Sequence, residues 1–576
     1  MNLTIIQSGL EDLTISIPDG QTIMEALKGQ GLNLDAPCAG RGRCGKCLVS
    51  VKGDFEPPSE SELEILSGRT DLRLACQAKG LGDVTVVVEA KALFSALKGL
   101  GWTAPYNFDP PISLIEVGER DRRDQRPLMR ALDLSSENYD VLSQLSVLEA
   151  NRTLGKVLFS HHKLLGAWET HDGPNENLAA AFDLGTTGLA LALIDLNQRQ
   201  TVAMETALNP QTAVGGDVIS RMTYAAESPE KIQHLQNLAL EGLAGLVAKA
   251  VDSTRAKNIG AAVICGNTTM LHLLAGLNPK SLAQAPYRPI FVDRLNLSHL
   301  AQKIGLPPWA EVTTAPSISA YVGGDITSGL TAIKLSQRPG TVIFIDIGTN
   351  GEIVLSKDNH LVATSCAAGP ALEGMNISCG MRAVTGAIDS FQLAPDMTPT
   401  YTTIGGVDPK GFCGSGLIDI VAELIRSEVI TKTGRFSPSS VKSGLIKDGQ
   451  YHLTDEVFLS QKDIRQVQLA KGAISAAMKM LLERFELTLS DLDEVVIAGS
   501  FGYHLKAENL LAISLIPKGY TGPITFVGNS SLAGAARLLL DRLATLEIDS
   551  IAQNVEVIEL GFDPKFQETF VKELSF

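Results

Sequence analysis

The chain carries one short turn twice, and this internal repeat limits its fold more than any other feature. A buried apolar stretch ends at Asp183 and is followed by a Gly-Thr-Thr turn and a second apolar stretch. The same pattern recurs around Asp346, 163 positions further along. Self-similarity of this kind indicates a duplicated architecture. We therefore expect two related lobes of alternating strands and helices over residues 177–576.

The residues of the two turns predict phosphate binding. Glycine and threonine supply backbone amides and hydroxyls that can wrap a polyphosphate, and the aspartate that ends each strand can face a magnesium-bound water. Asp183 and Asp346 are therefore candidate catalytic residues. The candidate binding residues of the two turns are Gly185, Thr186, Thr187, Gly348, Thr349 and Asn350. One such turn would be weak evidence, because similar turns close ordinary hairpins, but two in matching contexts are stronger.

A third glycine-rich turn follows a buried strand near the C-terminus. Residues 495–502 read VVIAGSFG, and Gly499, Ser500 and Gly502 are candidates for close backbone approach to a nucleotide. Two stretches rich in small residues, 323–335 and 528–540, predict helices that cross each other closely. The chain contains no G-x-x-x-x-G-K-[ST] motif, so a P-loop enzyme is excluded.

Three polar residues near these motifs have two interpretations each. Asp217, beside two glycines, is either a third catalytic carboxylate or a helix N-cap, and the sequence favours neither. Glu373 either contacts the ribose or metal, or begins a solvated helix. For His272, a satisfied helix position is favoured over a ligand role.

Four cysteines near the N-terminus predict a 2Fe–2S cluster. Cys38, Cys44 and Cys47 fit C-x5-C-x2-C within a glycine-rich loop, and Cys76 follows after a longer gap. Four thiolates with this spacing can hold such a cluster, which performs one-electron chemistry. A structural zinc site usually uses two C-x-x-C pairs, and here only Cys44 and Cys47 form one.

The sequence around these cysteines predicts a β-grasp domain. Two strand patterns at 2–7 and 12–17, a helix pattern at 21–30, and returning strands at 48–53 and 84–90 surround the cysteine loop. This arrangement resembles 2Fe–2S ferredoxins. The five-residue gap between the first two cysteines is one longer than in plant-type ferredoxins and is similar to the adrenodoxin-type loop.

Length and composition limit the number of domains, the kinds of partner and the location that we expect for this protein. A chain of 576 residues is expected to hold several domains. Its net charge of −15 argues against nucleic acid or an anionic membrane as a partner. The N-terminus shows no secretory signal pattern, and no apolar run is long enough to span a membrane, so we expect a cytoplasmic protein.

Over residues 177–576, the order of the motifs resembles the superfamily of actin, sugar kinases and heat-shock chaperone ATPases. Joined to a ferredoxin domain, it resembles the reductive activators of corrinoid-dependent methyltransferases. The motifs that carry this resemblance are, in order, CAGRGRCGKC with Cys76, DLGTTG, GGDVISR, GNTTM, VGGDI, DIGTNGE, CGSGLID and AGSFG. The resemblance implies a 2Fe–2S cluster, ATP and Mg²⁺ as cofactors. It also implies a low-potential electron donor and a corrinoid protein whose Co(II) is returned to Co(I).

The expected fold class is multidomain, α/β and α+β. We expect a β-grasp ferredoxin domain at 1–90, a linker at 91–111, a small middle domain at 112–176 and a two-lobed, actin-like ATPase with duplicated ribonuclease-H-like folds at 177–576. Three alternative functions remain open: activation of another low-potential enzyme, a small-molecule kinase with a redox-sensing domain, and a non-enzymatic, ATP-gated interaction protein. The oligomeric state also stays open, with a homodimer as one option.

Overall fold

The computed structural model describes residues 2–7, 13–18, 20–29, 47–66, 69, 72–88, 109–117, 127–133, 135, 139–151, 155–160, 163–169, 176–197, 200–254, 256, 258–499 and 505–576. Four residues predicted from the sequence, Cys38, Cys44, Ser500 and Gly502, lie outside the described residues, as does most of the predicted linker.

The N-terminal unit is a five-stranded mixed sheet in the order β2-β1-β5-β3-β4. Its elements are β1 (Asn2–Gln7), β2 (Leu13–Ser16), α1 (Ile23–Gly29), β3 (Leu48–Lys52), α2 (Glu60–Leu66), β4 (Leu72–Leu74) and β5 (Val84–Val88). Strands β1 and β5 are parallel, and their neighbours are antiparallel to them. The apolar core contains Ile23 and Leu27 of α1 beneath the sheet. The predicted β-grasp fold is confirmed.

A small three-stranded sheet follows, in the order β6-β7-β8. Its elements are β6 (Ile112–Val117), α3 (Leu128–Ala131), α4 (Tyr139–Asn151), β7 (Gly155–Ser160) and β8 (Lys163–Glu169). Helix α4 packs on one face through Val141 and Leu145. Ile112 and Leu158 belong to a second core that is shared with the next sheet. This unit therefore rests on the lobe that follows it.

The first lobe is built on a five-stranded sheet in the order β11-β10-β9-β12-β13. Its elements are β9 (Leu178–Leu184), β10 (Gly188–Asp195), β11 (Gln200–Leu208), α5 (Val218–Ala225), α6 (Pro229–Thr254), β12 (Ile259–Cys265), α7 (Thr268–Leu274), β13 (Glu311–Thr314) and α8 (Gly324–Ala332). An antiparallel hairpin, β9–β10, pairs with the parallel strand β12. Buried apolar residues of α6 cover one face of the sheet.

The second lobe repeats this arrangement in the order β24-β23-β14-β15-β16-β25. Its elements are β14 (Val342–Ile347), β15 (Gly351–Lys357), β16 (His360–Cys366), β17 (Ala387–Leu393), β18 (Pro399–Thr403), β19 (Gly411–Phe412), α9 (Gly414–Arg426), α10 (Pro438–Lys442), β20 (Ile446–Lys447), β21 (Gln450–His452), β22 (Phe458–Ser460), α11 (Gln461–Arg484), β23 (Glu494–Ala498), α12 (Ala507–Ala512), β24 (Ile524–Gly528), α13 (Ser530–Leu540), α14 (Arg542–Asn554), β25 (Glu556–Val557) and α15 (Pro564–Lys572). Read from β16, its order of hairpin, parallel strand and edge strand matches the first lobe. The duplication predicted from the repeated turn is confirmed.

Two helices cross between the lobes. Helix α8 follows the strands of the first lobe but packs against the second sheet, where Ile326 and Leu330 meet Phe344. Helix α13 follows the second sheet but packs against the first. At their crossing, a Cβ on Gly534 would lie 1.9 Å from the carbonyl oxygen of Ser328, so only glycine fits there. The predicted close crossing of small-residue helices is confirmed.

Among the helices that the structure describes, none is both long and apolar enough to cross a membrane.

Candidate functional site

A cavity of about 760 Å³ lies between the two lobes. Both repeated turns open into it, because each turn connects the first two strands of its lobe at the edge that faces the other lobe. The sequence-predicted residues that line it are Asp183, Gly185, Thr186, Thr187, Asp346, Gly348, Thr349, Asn350 and Gly499. The structure therefore brings together, in one cleft, candidates drawn from both halves of the repeat and from the third turn.

Six acidic residues line this cleft, and five of them act on one another through their charges: Asp183, Asp325, Asp346, Glu352 and Glu373. Burial raises the pKa of Asp183 to about 6, although the amide of Asn529, which donates to its Oδ2 over 2.7 Å, opposes that shift. Burial and the neighbouring charges raise the pKa of Asp325 to about 7 and that of Asp346 to about 8. Such clustered carboxylates favour a hard cation.

Sequence reasoning missed two members of this cluster. Asp325 stands at the start of α8, in a stretch whose small residues predict only a helix crossing, and Glu352 follows the second turn on β15. Burial also raises the pKa of Glu352, which accepts a hydrogen bond from the Ser365 hydroxyl over 3.2 Å. The sequence signal for Asp325 and Glu352 was an acidic residue within a glycine-rich motif. Only the packing of the two lobes places these two side chains near Asp183 and Asp346.

The second turn and its neighbour Glu373 form one hydrogen-bonded unit. The amide of Gly348 donates to the Asn350 carbonyl over 3.0 Å, and the Thr349 hydroxyl donates to Glu373 Oε1 over 3.1 Å. Burial raises the pKa of Glu373. The interpretation of Glu373 as the start of a solvated helix is therefore wrong, since its carboxylate faces the cleft.

The backbone and hydroxyl groups that line this cleft are suited to binding a nucleotide. Gly499 has a φ of +122°, and a Cβ there would lie 2.7 Å from the Ile347 carbonyl oxygen, so its bare backbone lies against the second turn. Among the described residues, the hydroxyls of Thr187 and Ser530 are buried without a hydrogen-bond partner. Both residues line the cavity. Buried hydroxyls seldom stay unsatisfied, so they indicate a polar ligand.

Asp217 lies outside the lining of this cavity and caps α5. Its Oδ1 accepts from the Ser220 amide over 2.7 Å, and the Ser220 side chain reaches back to the Asp217 backbone. Of the two interpretations, the structure supports the cap; a catalytic role for Asp217 stays a prediction. His272 is buried, with Nδ1 on the Thr268 carbonyl and Nε2 accepting from the Ile290 amide, as expected for a satisfied core residue.

Two of the four predicted cluster ligands, Cys47 and Cys76, are described. Both side chains are buried. The Ala75 amide donates to the Cys47 carbonyl over 2.9 Å, which places the two cysteine-bearing segments side by side. Cysteines from two adjacent segments in an apolar setting fit a thiolate-bound cluster.

Three family models match successive parts of the chain. Residues 7–79 match the 2Fe–2S iron–sulfur cluster binding domain, residues 178–338 the RACo middle region, and residues 340–576 the family described as the C-terminal domain of RACo, the ASKHA domain. The corrinoid activation enzyme RamQ of Eubacterium limosum is 31% identical over 98% of this chain and 97% of its own. The chain belongs to this family of reductive activators of corrinoid proteins.

Other members of this activator family are similar over most of their length. The Methanosarcina barkeri reductase that acts on a Co(II) methylated-amine-specific corrinoid protein is 24% identical over 69% of this chain and 76% of its own. A solved structure titled reductive activator for corrinoid, iron–sulfur protein superposes with a TM-score of 0.75 at 29% identity. That alignment covers 100% of this chain and 98% of the other, so the whole domain order is shared.

Proposed function

We propose that this activator uses ATP to drive one electron from its N-terminal 2Fe–2S cluster to the inactive Co(II) form of a corrinoid protein, restoring Co(I). The observation that carries the proposal is the combination, in one chain, of a cysteine-bearing β-grasp domain and an acidic, two-lobed cleft. The cluster supplies reversible one-electron transfer when bound. Cys38, Cys44, Cys47 and Cys76 are its proposed ligands.

The cleft supports the second half of the proposal. Asp183 and Asp346 would hold Mg²⁺ through its waters, with Asp325 and Glu352 close enough to share the charge. Backbone amides and hydroxyls of the two turns would contact the phosphates. Gly499, with the neighbouring Ser500 and Gly502, would contact the nucleoside. Because the turns belong to different lobes, a nucleotide between them can change the angle between the lobes.

Energetics give a reason for coupling to ATP. If the cluster lies ~0.2 V above the Co(II)/Co(I) couple, the transfer costs roughly 4–5 kcal/mol per electron. A two-lobed ATPase can offset this cost when its two nucleotide states bind the corrinoid protein with different affinities. The proposal further includes Mg²⁺, a low-potential donor and a reducing cytoplasm, in which the thiolates stay reduced.

One reconstituted reaction tests this function. Anaerobically purified protein is reduced and mixed with a Co(II) corrinoid protein and Mg·ATP, and Co(I) is followed by its absorption band. We expect Co(I) with ATP and not with ADP, and none from Cys76→Ser even with ATP. Equal rates of Co(I) formation with and without ATP would refute the coupling. Transfer of phosphate to a small molecule would favour the kinase alternative.

A further inference from the structure

The first phosphate turn, Gly185–Thr187, is held from behind by the segment that follows β11. Asn209 Nδ2 donates to the Gly185 carbonyl over 2.8 Å, and its backbone amide donates to the Thr187 carbonyl over 2.9 Å. The Arg221 guanidinium donates to the Thr186 carbonyl between them. Because N–H and C=O point opposite ways across a trans peptide, these contacts turn the amides of Thr186 and Thr187 away from the segment.

Arg221 is itself fixed by neutral groups. It is fully buried on α5. Its Nε donates to the Gly215 carbonyl over 2.9 Å, and Nη1 donates to Gln211 Oε1 over 3.1 Å. Gln211 is anchored in turn by its amide, which donates to the Leu235 carbonyl of α6 over 2.8 Å. These hydrogen bonds therefore hold the guanidinium of Arg221 in one orientation.

The charge of Arg221 lacks a hydrogen-bonded counter-ion among the described residues. Asp217 acts on it through space, but the Oδ1 of that carboxylate accepts from the Ser220 amide as the α5 cap. A buried charge without a paired partner is costly. The buried charge of Arg221 is stabilised when an anion binds one peptide away, on the other side of the turn.

We propose that Arg221 is a positioning residue for the polyphosphate. It holds the Thr186 carbonyl so that the turn presents its amides to the cleft, and it places behind them a positive charge whose hydrogen bonds go only to neutral groups. This inference rests on the proposed use of ATP in the cleft, and it names the residue that sets affinity for the phosphates rather than for the nucleoside.

The test compares Mg·ATP with adenosine in displacing a fluorescent ATP analogue from the full-length protein. We expect Arg221→Lys, which keeps the charge but loses the fork, to raise the dissociation constant for ATP about tenfold and leave that for adenosine unchanged. Gln211→Glu supplies the missing carboxylate in place, and should also weaken ATP alone. The matched control is Arg338→Lys, whose guanidine contacts Ile333 and Glu494 outside the cleft lining.

Each outcome separates the two claims. Wild-type protein that binds no ATP overturns the proposed function and this inference together. Wild-type protein that binds ATP, with Arg221→Lys and Gln211→Glu binding it equally well, overturns the inference alone. A parallel loss of ATP and adenosine affinity assigns Arg221 a merely structural role and also overturns the inference. If Arg221→Lys does not fold, the ATP-to-adenosine ratio of Gln211→Glu decides.

Discussion

At the scale of single residues, the cleft carboxylates make the stability of the ligand-free protein depend on pH. The pKa of Asp346 is raised to about 8, whereas an unfolded aspartate titrates near 3.9. Between these values the folded chain holds the extra proton. The free energy of unfolding therefore falls as pH rises through this interval, and the stabilising protonated form is lost above it.

Asp346→Asn should remove this effect. Without metal or nucleotide, we expect the variant to melt above wild type, with a gain at pH 8 that exceeds the gain at pH 5 by about 2–4 °C or more, because the unfolded aspartate ionises from about pH 3.9 upward while the folded one keeps its proton. Thermal denaturation in EDTA at both pH values measures the difference. Asp455→Asn, on the exposed surface, is the control. The same gain at pH 5 as at pH 8 would contradict the assignment.

The same carboxylates should control hydrolysis. Asp183→Asn and Asp346→Asn each remove a carboxylate that we propose positions the metal waters, so we expect ATP hydrolysis to fall by about 10²-fold or more. Iron and sulfide content should not change, because the cysteines lie in another unit. Phosphate release and iron analysis on the same preparations check both halves. Wild-type hydrolysis in both variants would exclude these residues from the metal site.

At the scale of elements, helices α8 and α13 cross with their backbones in close contact at Gly534 and Ser328. A Cβ on Gly534 would meet backbone of α8, which cannot move aside as a side chain can. This crossing joins both cores, since α8 packs on the second sheet and α13 on the first. Any change in the angle between the lobes must therefore move α8 and α13 relative to each other at this crossing.

Gly534→Ala should be strongly destabilising, by about 1–3 kcal/mol or more, because overpacking forces the helices apart. Gly245→Ala is the matched control, since a Cβ at that position of α6 meets nothing within 4 Å. It should stabilise the chain by about 0.4–1 kcal/mol. Denaturant unfolding of both variants measures the pair. Equal effects of the two substitutions would mean that the crossing tolerates separation.

At the scale of the whole molecule, the cysteine-bearing sheet has a core of its own, drawn from residues between Leu3 and Val86. The proposed electron source and the proposed energy source are thus built on separate cores. The two domains must therefore cooperate through their covalent connection. That connection sets the effective concentration of the cysteine-bearing domain near a corrinoid protein bound to the two-lobed domain.

Mixing two disabled variants tests this dependence. Cys76→Ser keeps the cleft and Asp346→Asn keeps the cluster, so each alone should make no Co(I). Mixed at micromolar concentration, we expect them to recover less than about a tenth of wild-type activity, and more as concentration rises. The rate of Co(I) formation against protein concentration is the measurement. Full recovery at low concentration would show that the two functions need not share a chain.

The sequence by itself determined the local chemistry of this protein. The repeated Asp-x-Gly-Thr turns, the spacing of four cysteines and the small-residue helices are signals within a few neighbouring residues, and strand and helix patterns around them follow from the same short range. That was enough to predict the β-grasp unit, the duplicated lobes and the candidate residues of both turns. The sequence did not decide the role of Asp217, because a helix N-cap and a catalytic carboxylate can have the same local sequence.

Only the tertiary structure decided which distant groups share the cleft. Asp325 and Glu352 join Asp183 because the two sheets face each other, and Arg221 lies behind Thr186 because α5 folds back under the turn. These contacts depend on how whole elements pack, and no periodicity in the chain records which faces will meet. The raised pKa values share this origin, since burial and neighbouring charges arise only when the lobes close around the same space.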